Sequence, residues 1–422
     1  MSAAATAPRL RTSLPQLYAA AAVRLLLPMV VLPIVATRVG AAEFGRLGFI
    51  LIWAGLLAAL VEGGFLAAAT RLAVVADADG RRRLAQQVFS ARAALSLPAV
   101  LFAFMAVRWG APDDAHRLVD SLSVAALACA LGWPATWYLQ ATQQLHRWAR
   151  VEFVVYAVLV VACIAFARSV PAFVALQLSA SALLALLGWR RVHDDLAAGA
   201  SPLSLYANAA LRPGLRLGFR MLPVSLAGVA YSMALPAAAS AQLSRPELGI
   251  YFMADRLVRA VLAAAEPVYS LVYPRMVALF AHGQRAALRY AARWATVGGL
   301  AGVVLLAAAQ WLWQRIEPVL LARSGGIDLQ AVHAVAFVLA WLWPLLLAWK
   351  FIGYWMLGSG GHDTAYRTSM IVGGVVGVTA AATIGGRAGA MGLAWTALGV
   401  ELLVIVVAVA MMGARRRSAR AG

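Results

Sequence analysis

Lysine is almost missing from this chain: Lys350 is the only one among 36 basic residues, and the rest are arginine. Charge of either sign is scarce too, at 13% of residues, against about 25% in an ordinary soluble domain. Cysteine is scarcer still. Cys129 and Cys163 both fall inside apolar runs, which excludes a disulfide framework and leaves no metal-ligand spacing. No stretch reads as HExxH, as a phosphate-binding GxxxxGK[ST] loop, or as GxGxxG after a strand, so the chain carries no strong enzyme motif and implies no cofactor. Acids are outnumbered, with 17 Asp and Glu against 36 Lys and Arg and a net charge of +19. In a soluble protein that balance would point to nucleic acid. Here the arginines lie mostly in short loops between apolar runs, where they orient membrane helices, and nucleic acid is not an expected partner.

Apolar residues supply 63% of the 422-residue chain, and its mean hydropathy is +0.80. At roughly 20 apolar residues per span plus short turns, there is room for about twelve helices and for no large soluble domain. The expectation is an all-α integral membrane protein embedded in a lipid bilayer. Successive apolar runs place spans at about 15–38, 46–69, 88–108, 118–139, 151–167, 171–189, 217–241, 248–273, 295–313, 331–357, 368–384 and 390–412. The first run has features of a signal peptide, with Arg9 and Arg11 ahead of it and small residues near Ala36. Its full-span length and the interruption by Arg24 argue instead for a retained span. Arginines crowd alternate loops: Arg71, Arg81, Arg82, Arg83 and Arg92 in one, Arg190, Arg191, Arg212 and Arg216 in another, and Arg275, Arg285, Arg289 and Arg293 in a third. That asymmetry predicts that both termini are cytoplasmic.

The longest loop divides the chain into an N-terminal six-helix lobe (1–190), a cytoplasmic linker (191–216) and a C-terminal six-helix lobe (217–422). A duplication links the lobes. Residues 41–74 align without a gap at an offset of 204, so that Glu43 falls on Glu247, Gly45 on Gly249, Glu62 on Glu266 and Arg71 on Arg275. Composition does not favour matches at Glu, Gly and Arg in so apolar a chain. Because the repeat joins spans 2 and 8, the lobes share one orientation, and parallel repeats of this kind place the substrate between the halves near mid-membrane.

Several stretches resemble one family. LRLGFRMLPVSLAG, PELGIYFMADRL and EPVYSLVYPRM look like the second half of the polysaccharide (Wzx-type) flippases, members of the MOP (MATE-like) exporter superfamily. WYLQATQQLHRWARVEFV, RVGAAEFGRLGF and GGRAGAMGLAW are similar to further segments of the same family. The resemblance implies twelve helices in two lobes around a central cavity that opens alternately to each side. It also implies a polyprenyl-diphosphate-linked oligosaccharide as cargo, moved from the cytoplasmic to the periplasmic leaflet of a bacterial inner membrane for surface polysaccharide such as lipopolysaccharide or exopolysaccharide. Glycosyltransferases and a polymerase of the same pathway would be partners. One departure is plain: where family members often carry a polar or acidic residue in span 7, this chain reads YSMALPAAASAQL. Two other functions compete: a MATE-like antiporter of small organic cations and, less well supported, a membrane glycosyltransferase or polymerase. The antiporter would want an acidic cavity, and the enzyme a large outer loop with catalytic residues.

A diphosphate needs a cationic path through hydrocarbon, and a mid-helix ionisable residue costs about 2.5–3.5 kcal/mol unless it faces a cavity or a partner. The candidate cations are Arg24, Arg256, Arg259 and Lys350. Arg24 either lines the cavity or pairs structurally. Arg256 and Arg259, three apart on one helical face, either meet the anionic headgroup together or form an ion-pair network with Asp255. Lys350 follows Pro344 by about a turn and is a further cavity candidate. Glu62 and Glu266 are repeat-related acids that act as proton-accepting gates or, as preferred here, as structural acids; Asp255 and Glu401 complete the possible gate or coupling acids. Pro28, Pro33, Pro223 and Pro236 would kink spans 1 and 7. Trp133, Trp137, Trp343, Trp349 and Trp355 can stack on sugar rings, but packing is the more ordinary role.

Overall fold

A computed structural model describes residues 22–23, 25–110, 116–197, 204–229, 233–280, 283–321, 328–358 and 363–421, and among them the regular structure is helical throughout, without strands. The first stretch of chain makes a π-helical turn at Leu27–Val31 followed by α1 (Leu32–Val39), α2 (Ala41–Glu62), α3 (Phe65–Val75), α4 (Ala78–Gly110) and α5 (Arg117–Gly132). Next come α6 (Thr136–Ala141), α7 (Leu145–Phe166), α8 (Val170–Ala197), α9 (Asn208–Val229) and α10 (Leu235–Ala239). The remaining helices are α11 (Arg245–Ala264), α12 (Glu266–Phe280), α13 (Gln284–Leu321), α14 (Leu329–Ala340), α15 (Leu342–Gly358), α16 (Asp363–Ala380) and α17 (Gly389–Ala421).

Nine described segments are long and apolar enough to cross a membrane: Ala41–Val75, Ala78–Gly110, Arg117–Ala141, Arg147–Phe166, Val170–Ala197, Gln284–Glu317, Leu329–Gly353, Thr364–Gly385 and Gly389–Ala414. They coincide with the expected spans 2 to 6 and 9 to 12. The other three fall short for visible reasons. Span 1 lies partly outside the described residues, span 7 is divided between α9 and α10, and span 8 carries Asp255, Arg256, Arg259 and Glu266. Several helices run well past the expected spans. The 33 residues of α4 extend about 50 Å at 1.5 Å per residue, against a hydrocarbon core of about 30 Å. Its early start follows from Asp77, whose Oδ1 accepts the Gly80 N–H at 2.8 Å and caps the first turn. Arg92, read from sequence as a loop residue, therefore lies well inside α4 and is buried, at 1% exposed.

The chain forms two compact units: Met1–Val31, Trp53–Arg108 and Asp113–Leu226 make the first, and Leu32–Ile52, Trp109–Pro112 and Ala227–Gly422 the second. In the first unit the core gathers Phe65, Leu84, Val88, Trp137, Tyr138, Trp189 and Val192. Phe89 meets the edges of Trp133 and Trp189 at 4.9 and 5.0 Å between ring centroids. The 41–75 span breaks at Gly63 and Gly64, whose φ of +65° and +77° lies in the left-handed region that glycine tolerates best.

In the second unit, α2 begins against the start of α11, and the duplicated glycines make the approach possible. A Cβ added to Gly45 would fall 1.6 Å from the Arg245 carbonyl oxygen, and one on its repeat mate Gly249 would fall 3.0 Å from the Gly45 nitrogen. Next along, Gly48 leaves room for Phe252, its own mate in the second copy, which also meets Phe44 at 5.9 Å. The other matched positions show the duplication as well. α11 ends at Ala264 and α12 starts at Glu266, so the second copy also breaks beside its matched acid, on the N-terminal side of Glu266 where the first breaks on the C-terminal side of Glu62. The π-helical turn at Leu27–Val31 likewise matches the stretch where α9 has ended and α10 begins, with residues 233–234 again π-helical. Further on, α13 packs closely on α15 through Gly302, where an added Cβ would lie 2.4 Å from the Pro344 nitrogen.

Candidate functional site

The capping box of Ser244 and Glu247 starts α11: the Ser244 hydroxyl accepts from the Glu247 N–H, and the Glu247 carboxylate accepts from the Ser244 N–H. The helix buries Tyr251, Phe252, Met253 and Ala254 and carries Asp255 into the interior. One turn on, Arg259 donates from Nε to Asp255 Oδ1 at 2.6 Å, an i,i+4 ion pair whose carboxylate side chain is 7% and guanidinium side chain 23% exposed. Arg256 behaves differently. Its guanidinium lies over the Phe252 ring at 5.0 Å, and its nearest hydrogen-bond partner is the Met233 thioether at 3.7 Å, a weak acceptor. Among the described residues Arg256 has no carboxylate at ion-pair distance. Of the two alternatives for these arginines, the ion pair with Asp255 forms for Arg259, while Arg256 is left without an ion pair among the described residues.

Three of the other embedded charges, Lys350, Glu266 and Glu62, are paired. Lys350 on α15 forms an ion pair with Glu266 at the start of α12, and its ammonium sits 4.4 Å above the Tyr269 ring. Glu62 is at the end of α2, where its carboxylate accepts the N–H of Gly64 at 2.9 Å and of Leu66 at 2.6 Å, closing the helix break. It also faces Arg92 Nη2 at 3.8 Å. Arg92 Nη1 donates to the carbonyls of Trp133 and Pro134 at 2.9 and 2.8 Å, tying α4 to the turn between α5 and α6. The repeat-related acids therefore each meet a cation of their own half, but from unrelated helices. Glu401 on α17 is buried at 4% exposed and has no hydrogen-bond or ion-pair partner among the described residues. Arg24 lies outside the described residues. No group of three or more His, Cys, Asp or Glu among the described residues is placed to hold a metal.

Comparison with known proteins bears on what this arrangement serves. A family model described as "Polysaccharide biosynthesis protein" matches residues 17–280, more than half of the chain. The chain belongs to that family. Its membership agrees with the Wzx-type resemblance read from the residues. No curated protein matches it at a significant level. Solved structures share the fold. A lipid II flippase, MurJ, in an inward closed conformation superposes with a TM-score of 0.65 at 10% identity over 96% of this chain and 87% of that one. An inward-facing multidrug resistance MATE family transporter of the MOP superfamily gives 0.64 at 14% identity over 94% and 99%. An outward-facing MATE transporter gives 0.54 at 15% over 97% and 95%. At these identities the likeness is one of fold.

In this polysaccharide biosynthesis protein, most of the candidate stacking aromatics are occupied in packing. Trp137 is fully buried, the Trp133 indole donates to Ser96 Oγ at 3.0 Å, and the Trp343 indole donates to the Val258 carbonyl at 2.9 Å. The residue that sequence reading missed is Arg92. Its spacing from Arg81, Arg82 and Arg83 looks like the tail of a loop cluster, and the one available signal was that it falls four residues inside the expected span 3.

Proposed function

We propose that this chain flips a polyprenyl-diphosphate-linked oligosaccharide from the cytoplasmic to the periplasmic leaflet of a bacterial inner membrane, for assembly of surface polysaccharide. Alternating access between two six-helix lobes, 1–190 and 217–422, would carry it, with both termini cytoplasmic. Family membership supports the pathway, and the shared fold of a lipid II flippase supports the transport class. The observation that carries the chemistry is Arg256. A diphosphate crossing hydrocarbon needs a cation that is not already neutralised, and Arg256 is held against Phe252 and Met233 with no carboxylate at ion-pair distance among the described residues, Asp255 being engaged by Arg259. Its planar fork donates to phosphate oxygens bidentately.

The test is complementation of a deletion strain, read as surface polysaccharide and as lipid-linked precursor retained in the inner leaflet. Wild type restores the surface polymer, whereas Arg256→Ala leaves the precursor stranded. Full rescue by Arg256→Ala would remove the cationic step, and normal polymer in the deletion strain would remove the function itself. The MATE-like antiporter remains a second reading because Glu401 is a buried acid without a described partner. That reading predicts organic-cation resistance that Glu401→Gln abolishes and Arg256→Ala spares.

A further inference from the structure

Between α12 and α13 the second unit holds a cleft of about 290 Å³ lined by Arg275, Tyr290, Arg293, Trp294 and Val297. Nothing in the proposed transport step uses it. Both arginines are exposed, no acid lines the cleft, and neither arginine has an ion-pair partner among the described residues. Two guanidinium groups facing one cavity without a counter-ion call for an anion, and their forks suit phosphate oxygens.

The setting identifies the kind of anion. Along α13, Arg285, Arg289 and Arg293 recur every four residues and share a face. The same stripe continues as Val297, Leu300 and Val304, which are 49%, 63% and 67% exposed. A helix face that turns from arginine to exposed aliphatic side chains within one turn marks the boundary between water and hydrocarbon. Tyr290 and Trp294, whose rings meet at 6.4 Å, are the amphipathic aromatics favoured at headgroup level. The cleft straddles this boundary, its cationic wall at headgroup depth and its Val297 wall continuous with the lipid-facing surface. We propose that it is a binding site for the phosphate of a membrane lipid, held by Arg275 and Arg293, with the lipid chain lying along Val297, Leu300 and Val304. Basic pockets between membrane helices are suited to anionic headgroups in this way. A bulk anionic phospholipid and a prenyl diphosphate share the required chemistry.

The full chain in neutral detergent, titrated with lipid and read by native mass spectrometry, tests this. The probes are dioleoyl phosphatidylglycerol, farnesyl diphosphate, dioleoyl phosphatidylcholine and inorganic phosphate. Wild type should hold phosphatidylglycerol or farnesyl diphosphate roughly 10- to 30-fold tighter than phosphatidylcholine, the increment expected from two arginines at a membrane surface. Arg275→Gln with Arg293→Gln should erase that preference, each single variant should lose several-fold, and Arg289→Gln, outside the cleft, should keep it. Preference for phosphatidylglycerol names bulk phospholipid as the source, and preference for farnesyl diphosphate names a prenyl lipid; either supports the site. Anionic preference that survives the double substitution overturns it, as does inorganic phosphate binding as tightly as the lipids. Because both arginines are exposed, the variants should melt with wild type.

Discussion

Substituting Arg92 with Met and Glu62 with Gln separates a structural role for this pair from a role in transport. The Arg92 guanidinium is buried and donates two charge-assisted hydrogen bonds, to the carbonyls of Trp133 and Pro134. Each such bond contributes about 1.5–3 kcal/mol. Removing a buried charge gives part of this back by relieving its desolvation, but two carbonyls lose their donor, so the net loss is about 3 kcal/mol. The Glu62 contact at 3.8 Å involves a side chain 25% exposed and adds less than about 1 kcal/mol. For a cooperative unit of about 200 residues, at roughly 2–4 °C per kcal/mol, Arg92→Met should lower the melting temperature by about 6–12 °C. Glu62→Gln keeps one oxygen to accept from Gly64 or Leu66 but turns an amide NH2 toward the other N–H, and should cost about 1–2 kcal/mol. Thermal melting followed by size exclusion in detergent reads the first quantity, and complementation of surface polysaccharide reads transport. An Arg92→Met protein that melts with wild type refutes the tie between α4 and the α5–α6 turn. A Glu62→Gln protein that melts with wild type but fails in transport refutes the structural reading of Glu62.

Other substitutions probe the second unit. Asp255→Asn strands the Arg259 charge and should cost about 1–3 kcal/mol, below the full 3–5 for a sealed pair because Arg259 is partly exposed; adding Arg259→Gln should recover part of that loss in a double-mutant cycle. Lys350→Gln breaks a pair whose side chains are 33% and 57% exposed, so its stability cost should stay below about 1 kcal/mol, and a strong transport defect in a protein with normal melting would identify Lys350 as functional. Gly45→Val should force α2 off α11, since a Cβ there meets the Arg245 carbonyl at 1.6 Å; cysteine cross-linking between the two helix starts should fall sharply, and unchanged cross-linking would contradict the packing. Pro28→Ala with Pro33→Ala should reduce transport if the π-helical turn at Leu27–Val31 is a bending point, and full transport would dismiss that role.

Much of the charge chemistry was legible only in part. The Asp255–Arg259 pair is written in local spacing, because residues four apart on a helix are neighbours wherever the helix goes. The partners of Glu62 and Glu266 are not, since Arg92 and Lys350 reach them from helices that tertiary packing brings alongside. The same holds for Arg256: that no carboxylate among the described residues comes to ion-pair distance of it depends on the helices packed near it. Glu401 could be seen to be isolated in its span, but its burial depends on the faces its neighbours cover.

By itself the sequence determined the membrane fold and its duplicated plan. A bilayer demands apolar runs of near-constant length whose backbone bonds close within the helix, so the spans show in composition, and the offset of 204 shows in Glu43, Gly45, Glu62 and Arg71 and their mates. Only the tertiary structure decided what those matches do: that Gly45 and Gly249 touch each other, that the helices break after Glu62 and before Glu266, and that Arg92 is a core residue. The physical reason is range. Hydrophobic run length and helical spacing act between near neighbours in the chain, whereas close backbone approach and the pairing of buried charges depend on residues far apart in sequence meeting in space.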